Sequence, residues 1–160
     1  VRHIRHVRQR ISRPRLVPRL DNGPNIAHKL VQGLKTNSTN ACAICGNIGQ
    51  ESAFNPAAVG SGGDYGLCQW VGPRKARLFS FAKRLGLPST SEDAQIQFLI
   101  WELHNTHSHA LRALLQPGTL AQKTVRFCNT FEVPSPRYAN YSRRIQYANS
   151  CFAAYKRKYG

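Results

Sequence analysis

The stretch GNIGQESAFNP, residues 46–56, places Glu51 where a helical pattern gives way to an Asn-Pro turn, in a chain with 23 Lys and Arg against 7 Asp and Glu. A carboxyl group delivers a proton near neutral pH when burial against apolar groups, or distance from positive charge, keeps it uncharged. Ile48 and Phe54 flank Glu51, and the nearest cations along the chain are Lys35 and Arg74. The chemistry such a group suits is cleavage of a sugar–sugar bond, where a poor leaving oxygen must be protonated. A helix end fixes the backbone and aims the side chain reproducibly at a neighbouring groove. The reading requires an uncharged Glu51 facing a saccharide-wide groove, not locked to a guanidinium.

Downstream residues supply the rest of a sugar site. Tyr65, Gln69 and Trp70 offer ring faces and amide groups for a pyranose, and Ser52 and Asn55 flank the acid. Ser52 reads more readily as a hydrogen-bonding or capping residue. Gly62, Gly63 and Gly66 let the backbone approach a ligand. Asp64, in the glycine-rich loop, and Glu102, in LIWEL, are candidate second acids. The plainer readings are a solvated turn aspartate and a buried structural ion pair with Arg or Lys. Glu92, Asp93 and Glu132 read as exposed or capping groups.

Other constellations carry less. Cys42-x-x-Cys45 lies at helical spacing, but His104, His107 and His109 do not complete a zinc signature. The cysteines read as small core residues, and no metal or cofactor is implied. No Ser-His-Asp or Cys-His arrangement has support. Basic and aromatic residues from Arg137 to Tyr159 suit a solvated face or a hold on anionic peptide stems of a wall.

These residues need elements to hold them. Ile26, Leu30, Val31 and Leu34 predict a helix from about Asn25; Ser38, Thr39 and Asn40 offer caps for a second, over ACAICGNIGQ. Residues 55–72 are glycine-rich and irregular, with at most a short hairpin. Pro73 starts a helix that Gly86 and Pro88 end. Further helices are predicted from Ser91, over 108–115, over 120–131, and from about 136 to 158. The fold class is mainly α with a short irregular or hairpin segment beside the cleft. One domain over residues 25–160 is expected, preceded by an extended basic arm over 1–24.

The first twenty residues carry seven Arg and no acid, within a net charge of +16 and a pI near 10.5. Pro14, Pro18 and Pro24 argue against one long helix there. Such a field draws the chain to polyanions: nucleic acid, acidic lipid, or a bacterial wall. No apolar run approaches the roughly 18 residues needed to cross a bilayer, which predicts a soluble chain. The basic N-terminus lacks the apolar segment of a secretory leader. A start at Val1 and the absence of Met suggest processing or a missing start.

Residues 43–86, AICGNIGQESAFNPAAVGSGGDYGLCQWVGPRKARLFSFAKRLG, resemble the core motif of the phage tail lysozyme family, within the lysozyme-like superfamily. The likeness continues through QIQFLIWEL, FCNTFEVPSP and RIQYA, covering roughly residues 38–155. It implies a lysozyme-like fold and a peptidoglycan glycosidase. Glu51 would be the catalytic acid and residues 65–70 would line the saccharide cleft. It also implies a protein carried in the virion, opening the wall so that the genome can pass, with the arm on virion proteins, DNA or anionic membrane. A more distant likeness to lytic transglycosylases leaves two products open. Cys45 and Cys68 depart from the commoner pattern. The alternative is an idle lysozyme-like protein that binds wall or builds a tail.

Overall fold

A computed structural model describes the backbone of residues 16–160 and side chains from Asn22 onward. The readings made for residues 1–15 lie outside the described part. Among the described residues the architecture is seven α-helices around one of their number, with almost no strand.

Helix α1 spans Leu16–Leu34 and carries Pro24 inside it. The extended conformation expected up to residue 24 is therefore overturned from Leu16 onward. Asn22 is already tied to the domain: its amide donates to Glu92 Oε1 at 2.6 Å. Burial of Ile26 and Leu30 outweighs the hydrogen bond that Pro24 withholds.

Helix α2, Ser38–Ser52, is the central element. Its cap is Asn37, whose side chain accepts from the Asn40 N–H at 2.9 Å. Asn40 through Gly49 are all buried, because α1, α6 and α7 pack around it. Gly46 permits the closest approach: a Cβ there would lie 2.6 Å from the Arg144 carbonyl and 2.7 Å from Ala148 Cβ.

Residues 53–71 form the irregular segment. Its strand content is two single bridges, Val59 with Tyr65 and Tyr65 with Trp70. Gln95 reaches in from α4 and staples it, accepting from Leu67 N at 2.8 Å and donating to the carbonyls of Pro56 and Ser89 at 2.7 and 2.8 Å. Gly66 has φ +76°, and a side chain there would strike Gln95.

Helix α3, Gly72–Leu85, opens on Pro73 and ends at Gly86 in the left-handed region. Helix α4, Glu92–His104, is capped by Ser91, and Lys29 pairs with Glu92 and Asp93 in its first turn. Helix α5, Ser108–Leu115, ends on carbonyls that Lys123 caps: Nζ donates to Leu114 and Gln116. Helix α6, Leu120–Phe127, starts with a Thr119–Gln122 capping box. It does not continue regularly to 131 as expected; Cys128–Glu132 is one π-helical turn, closed by Val133 N–H donating to Cys128 O at 2.8 Å. A 3₁₀ turn, Pro136–Tyr138, precedes α7, Tyr141–Tyr159. The last helix thus starts five residues later than expected, because its cap is Asn140 at φ +50°.

All five cysteines are buried and unpaired. No helix among the described residues is long and apolar enough to cross a membrane.

Candidate active site

Glu51 occupies the last turn of α2. The helix stops because Ala53 and Phe54 adopt φ +51° and +62°, and Ala53 N–H closes on Gly49 O at 2.8 Å. Consecutive non-glycine residues in that region store strain. The buried Phe54 ring, set edge-on to Tyr147 at 5.8 Å, anchors it.

Two cavities, of about 630 and 570 Å³, meet at this turn. Gln50, Glu51, Gly60 and Gln69 line both, so together they make one groove with Glu51 on the shared wall. One arm runs under Asp64, Glu132, Arg137, Tyr138 and Arg144. The other runs under Asn55, Val59, Arg143 and Tyr147.

The electrostatics differ from the lone uncharged acid expected. Arg144 Nη2 lies 2.8 Å from Glu51 Oε2, with 1% of the arginine side chain exposed against 19% of the glutamate. The isolation from cations read along the chain is therefore overturned, and with it the condition that Glu51 stand free of any guanidinium: α7 brings a buried one to it. Asn47 Oδ1, Ala139 O and Tyr138 O accept Arg144's N–H groups and fix it.

Glu132, expected to be exposed or capping, is a second correction. It is half-buried at the end of the π-helical turn, on the wall of the first cavity, which Glu51 also lines. Burial, and then the charge of Glu51, push Glu132 well above the usual carboxylate range, against the pull of Arg144 and Arg74. Arg74 holds the backbone just before it, donating to Phe131 O at 3.0 Å with its guanidinium over the Phe131 ring. Two carboxyls and one guanidinium thus line the first cavity.

A family model described as phage tail lysozyme matches residues 22–155. The chain belongs to the phage tail lysozyme family. No match was found among curated proteins. Membership makes the protein lysozyme-like, of a family whose substrate is peptidoglycan.

The other expected site residues of this phage tail lysozyme divide by position. Asp64 and Gln69 line the groove, and so does Asn55, whose Oδ1 accepts from Ala57 N in a local turn. Gln69 spends its amide N–H groups on the carbonyls of Ala58 and Gly66. Ser52 touches the second cavity but is buried, donating to Ile48 and Leu67 carbonyls, a helix-end role.

Trp70 is not a sugar platform. It is 2% exposed, packs on Phe98, and donates its indole N–H to Glu102 at 2.8 Å. Tyr65 lines neither cavity; its hydroxyl meets Ser89 and its ring meets Phe79. Glu102 is fully buried and held by Arg74 Nε and Nη2 at 2.9 Å, which removes it from the candidate acids.

The groove's aromatic surface comes instead from Tyr138 and Tyr147. Tyr138 is 65% exposed. Sequence reasoning missed Glu132, and placed Arg144 and Tyr138 only within a stretch suited to a solvated face or to the peptide stems of a wall, not beside Glu51. For Glu132 one signal was present: it is among only seven acids and falls within FCNTFEVPSP, one of the stretches that resembles the family.

Proposed function

We propose that this phage tail lysozyme cleaves the β-1,4 linkage between MurNAc and GlcNAc of peptidoglycan. What supports the reading is the position of Glu51, on the wall common to two cavities that together suit an extended saccharide. Glu51 hands a proton to the glycosidic oxygen. The C1–O bond breaks with its electron pair going to that oxygen, and an oxocarbenium-like centre develops at MurNAc C1. The carboxylate left behind, beside the other groove acids, stabilises that cation. Asp64 is the candidate to guide a water to C1; attack by the MurNAc 6-hydroxyl is the other route. Both return the proton to the carboxyl.

In this proposal the protein travels in the virion and opens the wall locally so that the genome can pass. Residues 1–24 would attach it to virion proteins, DNA or anionic membrane. Mass spectrometry of fragments released from purified wall tests the bond. Chains ending in MurNAc, reducing or 1,6-anhydro, are expected, the anhydro form one water lighter. Release of free stem peptides with intact glycan would overturn the reading.

One observation favours an idle, wall-binding protein instead: the Glu51–Arg144 ion pair, which on its own is also a structural device. In that case binding to wall persists and no fragment is released.

A further inference from the structure

We propose that Arg143 makes the second cavity a seat for a carboxylate of the peptide stems that hang from the glycan, so that the groove reads the stem as well as the sugars. The proposal rests on the glycosidase reading above and deepens it by naming what, besides sugar, the groove holds.

The two arms of the groove are charged differently. The first cavity sets Asp64 and Glu132 against Arg74, Arg137 and Arg144. Among the described residues the second is lined by one acid, Glu51, and one base, Arg143; the rest of its lining is neutral. Glu51 is already paired, with Arg144 at 2.8 Å. Arg143 is exposed and makes no ion pair among the described residues. This arm therefore presents one uncommitted positive charge.

Local structure does not account for that cation. Arg143 is the third residue of α7, and a helix start has a positive field of its own, which favours acids there and disfavours an arginine. The first turn of α7 carries no acid to offset it. The register of α7 keeps Arg143 at the cavity. Its neighbour Arg144 is buried and donates to Asn47 Oδ1 and to the carbonyls of Ala139 and Tyr138. Tyr147, one turn on, sets its ring edge-on to Phe54 and lies against Gly49, where an added Cβ would meet Tyr147 Cδ1 at 2.5 Å. Rolling α7 would break both contacts, so Arg143 stays in the lining beside Tyr147.

The chemistry of the substrate selects the occupant. The sugars of peptidoglycan offer hydroxyl and acetamido groups, which need no cation. The stems, joined to MurNAc through its lactyl group, carry free carboxylates. A guanidinium holds a carboxylate through two parallel N–H···O bonds, and the field of the helix start adds to that attraction. The pair is exposed, so its contribution is modest. Arg143 touches the stem and not the bond that breaks. It is a binding residue whose effect falls on KM.

The test uses soluble glycan chains with uncrosslinked stems, freed of phosphate polymers, in two forms: stem carboxyls free, or converted to primary amides. Amidation keeps the shape and removes the charge. The quantity read is the ratio of kcat/KM on free over amidated chains, at about 0.1 M salt, where charges beyond roughly 10 Å are screened. The full chain is compared with Arg143→Gln, Arg143→Lys and Arg157→Gln. Arg157, exposed in the last turn of α7 and outside both cavities, loses the same charge elsewhere.

Arg143→Gln is expected to lower the ratio at least about threefold, through KM. Arg143→Lys, which keeps the charge and loses the fork, should retain part of it. Arg157→Gln should leave the wild-type ratio. Each variant is its own reference, so partial unfolding lowers both rates and cannot mimic the fall. A ratio for Arg143→Gln equal to wild type, or an equal fall in Arg157→Gln, would overturn the inference while the glycosidase reading stands. If wild type releases no sugar ends from either chain, that reading fails and takes this inference with it.

Discussion

Arg144 carries a full charge in the interior, and its three neutral acceptors leave Glu51 as its counter-charge. Removing one member of a buried pair costs more than the pair contributes, since the other is left uncompensated. Arg144→Met should therefore cost about 3 kcal/mol or more, read as a lower urea midpoint. Glu132 makes a prediction with the opposite chemistry. Its folded-state proton affinity lies above that of the unfolded chain. The associated stability is fully present below about pH 4.3 and is lost as pH rises through the folded value. Thermal midpoints should decline across that window in wild type and flatten in Glu132→Gln; parallel curves would contradict the assignment. The position of Glu51, at a helix end beside a groove, was legible in the sequence because an Asn-Pro turn and scarce acids coincide there. Its partners were not. Arg144 and Glu132 reach it only through the packing of α7 and the π-helical turn, and no local pattern encodes that.

Between elements, the site depends on how closely α7 lies on α2. Gly46 sets that distance, and the atoms an added Cβ would meet are a backbone carbonyl and Ala148 Cβ, neither able to swing away. Gly46→Ala should destabilise by about 1–3 kcal/mol and, by moving Arg144, also lower wall-clearing activity. Wild-type stability with altered activity, or the reverse, would separate the two roles given to this contact. The helices were legible at this scale. Ser91, Pro73 and Gly86 mark starts and stops by their own chemistry, and Ile26 and Leu30 show the buried face of α1. Two features were not. The π-helical turn carries no residue signature, so periodicity ran α6 straight through to 131. Trp70 was read as a ligand platform because an exposed tryptophan beside Gln69 suits a sugar; burial against Phe98 and a hydrogen bond to Glu102 take it into the core instead.

Across the whole molecule the net charge is +16, while the wall shared by the two cavities carries a carboxyl, Glu51. The field serves approach to an anionic wall more than bond cleavage, because exposed charges act over the Debye length, about 10 Å at 0.1 M salt. Raising salt from roughly 0.05 to 0.5 M should therefore slow wall clearing several-fold while leaving cleavage of a short, uncharged glycan little changed. Equal slowing of both would place the cations inside the catalytic step. Charge and class were legible from composition and from the residues resembling the family; the groove's shape was not, because it arises where α2, the irregular segment and the turn before α7 meet. The central claim concerns a single carboxyl on that groove, and clearing of purified wall by Glu51→Gln tests it most directly. The variant should bind wall, keep the wild-type circular dichroism, and clear at least about 100-fold more slowly. Clearing at the wild-type rate by a folded Glu51→Gln would contradict the account.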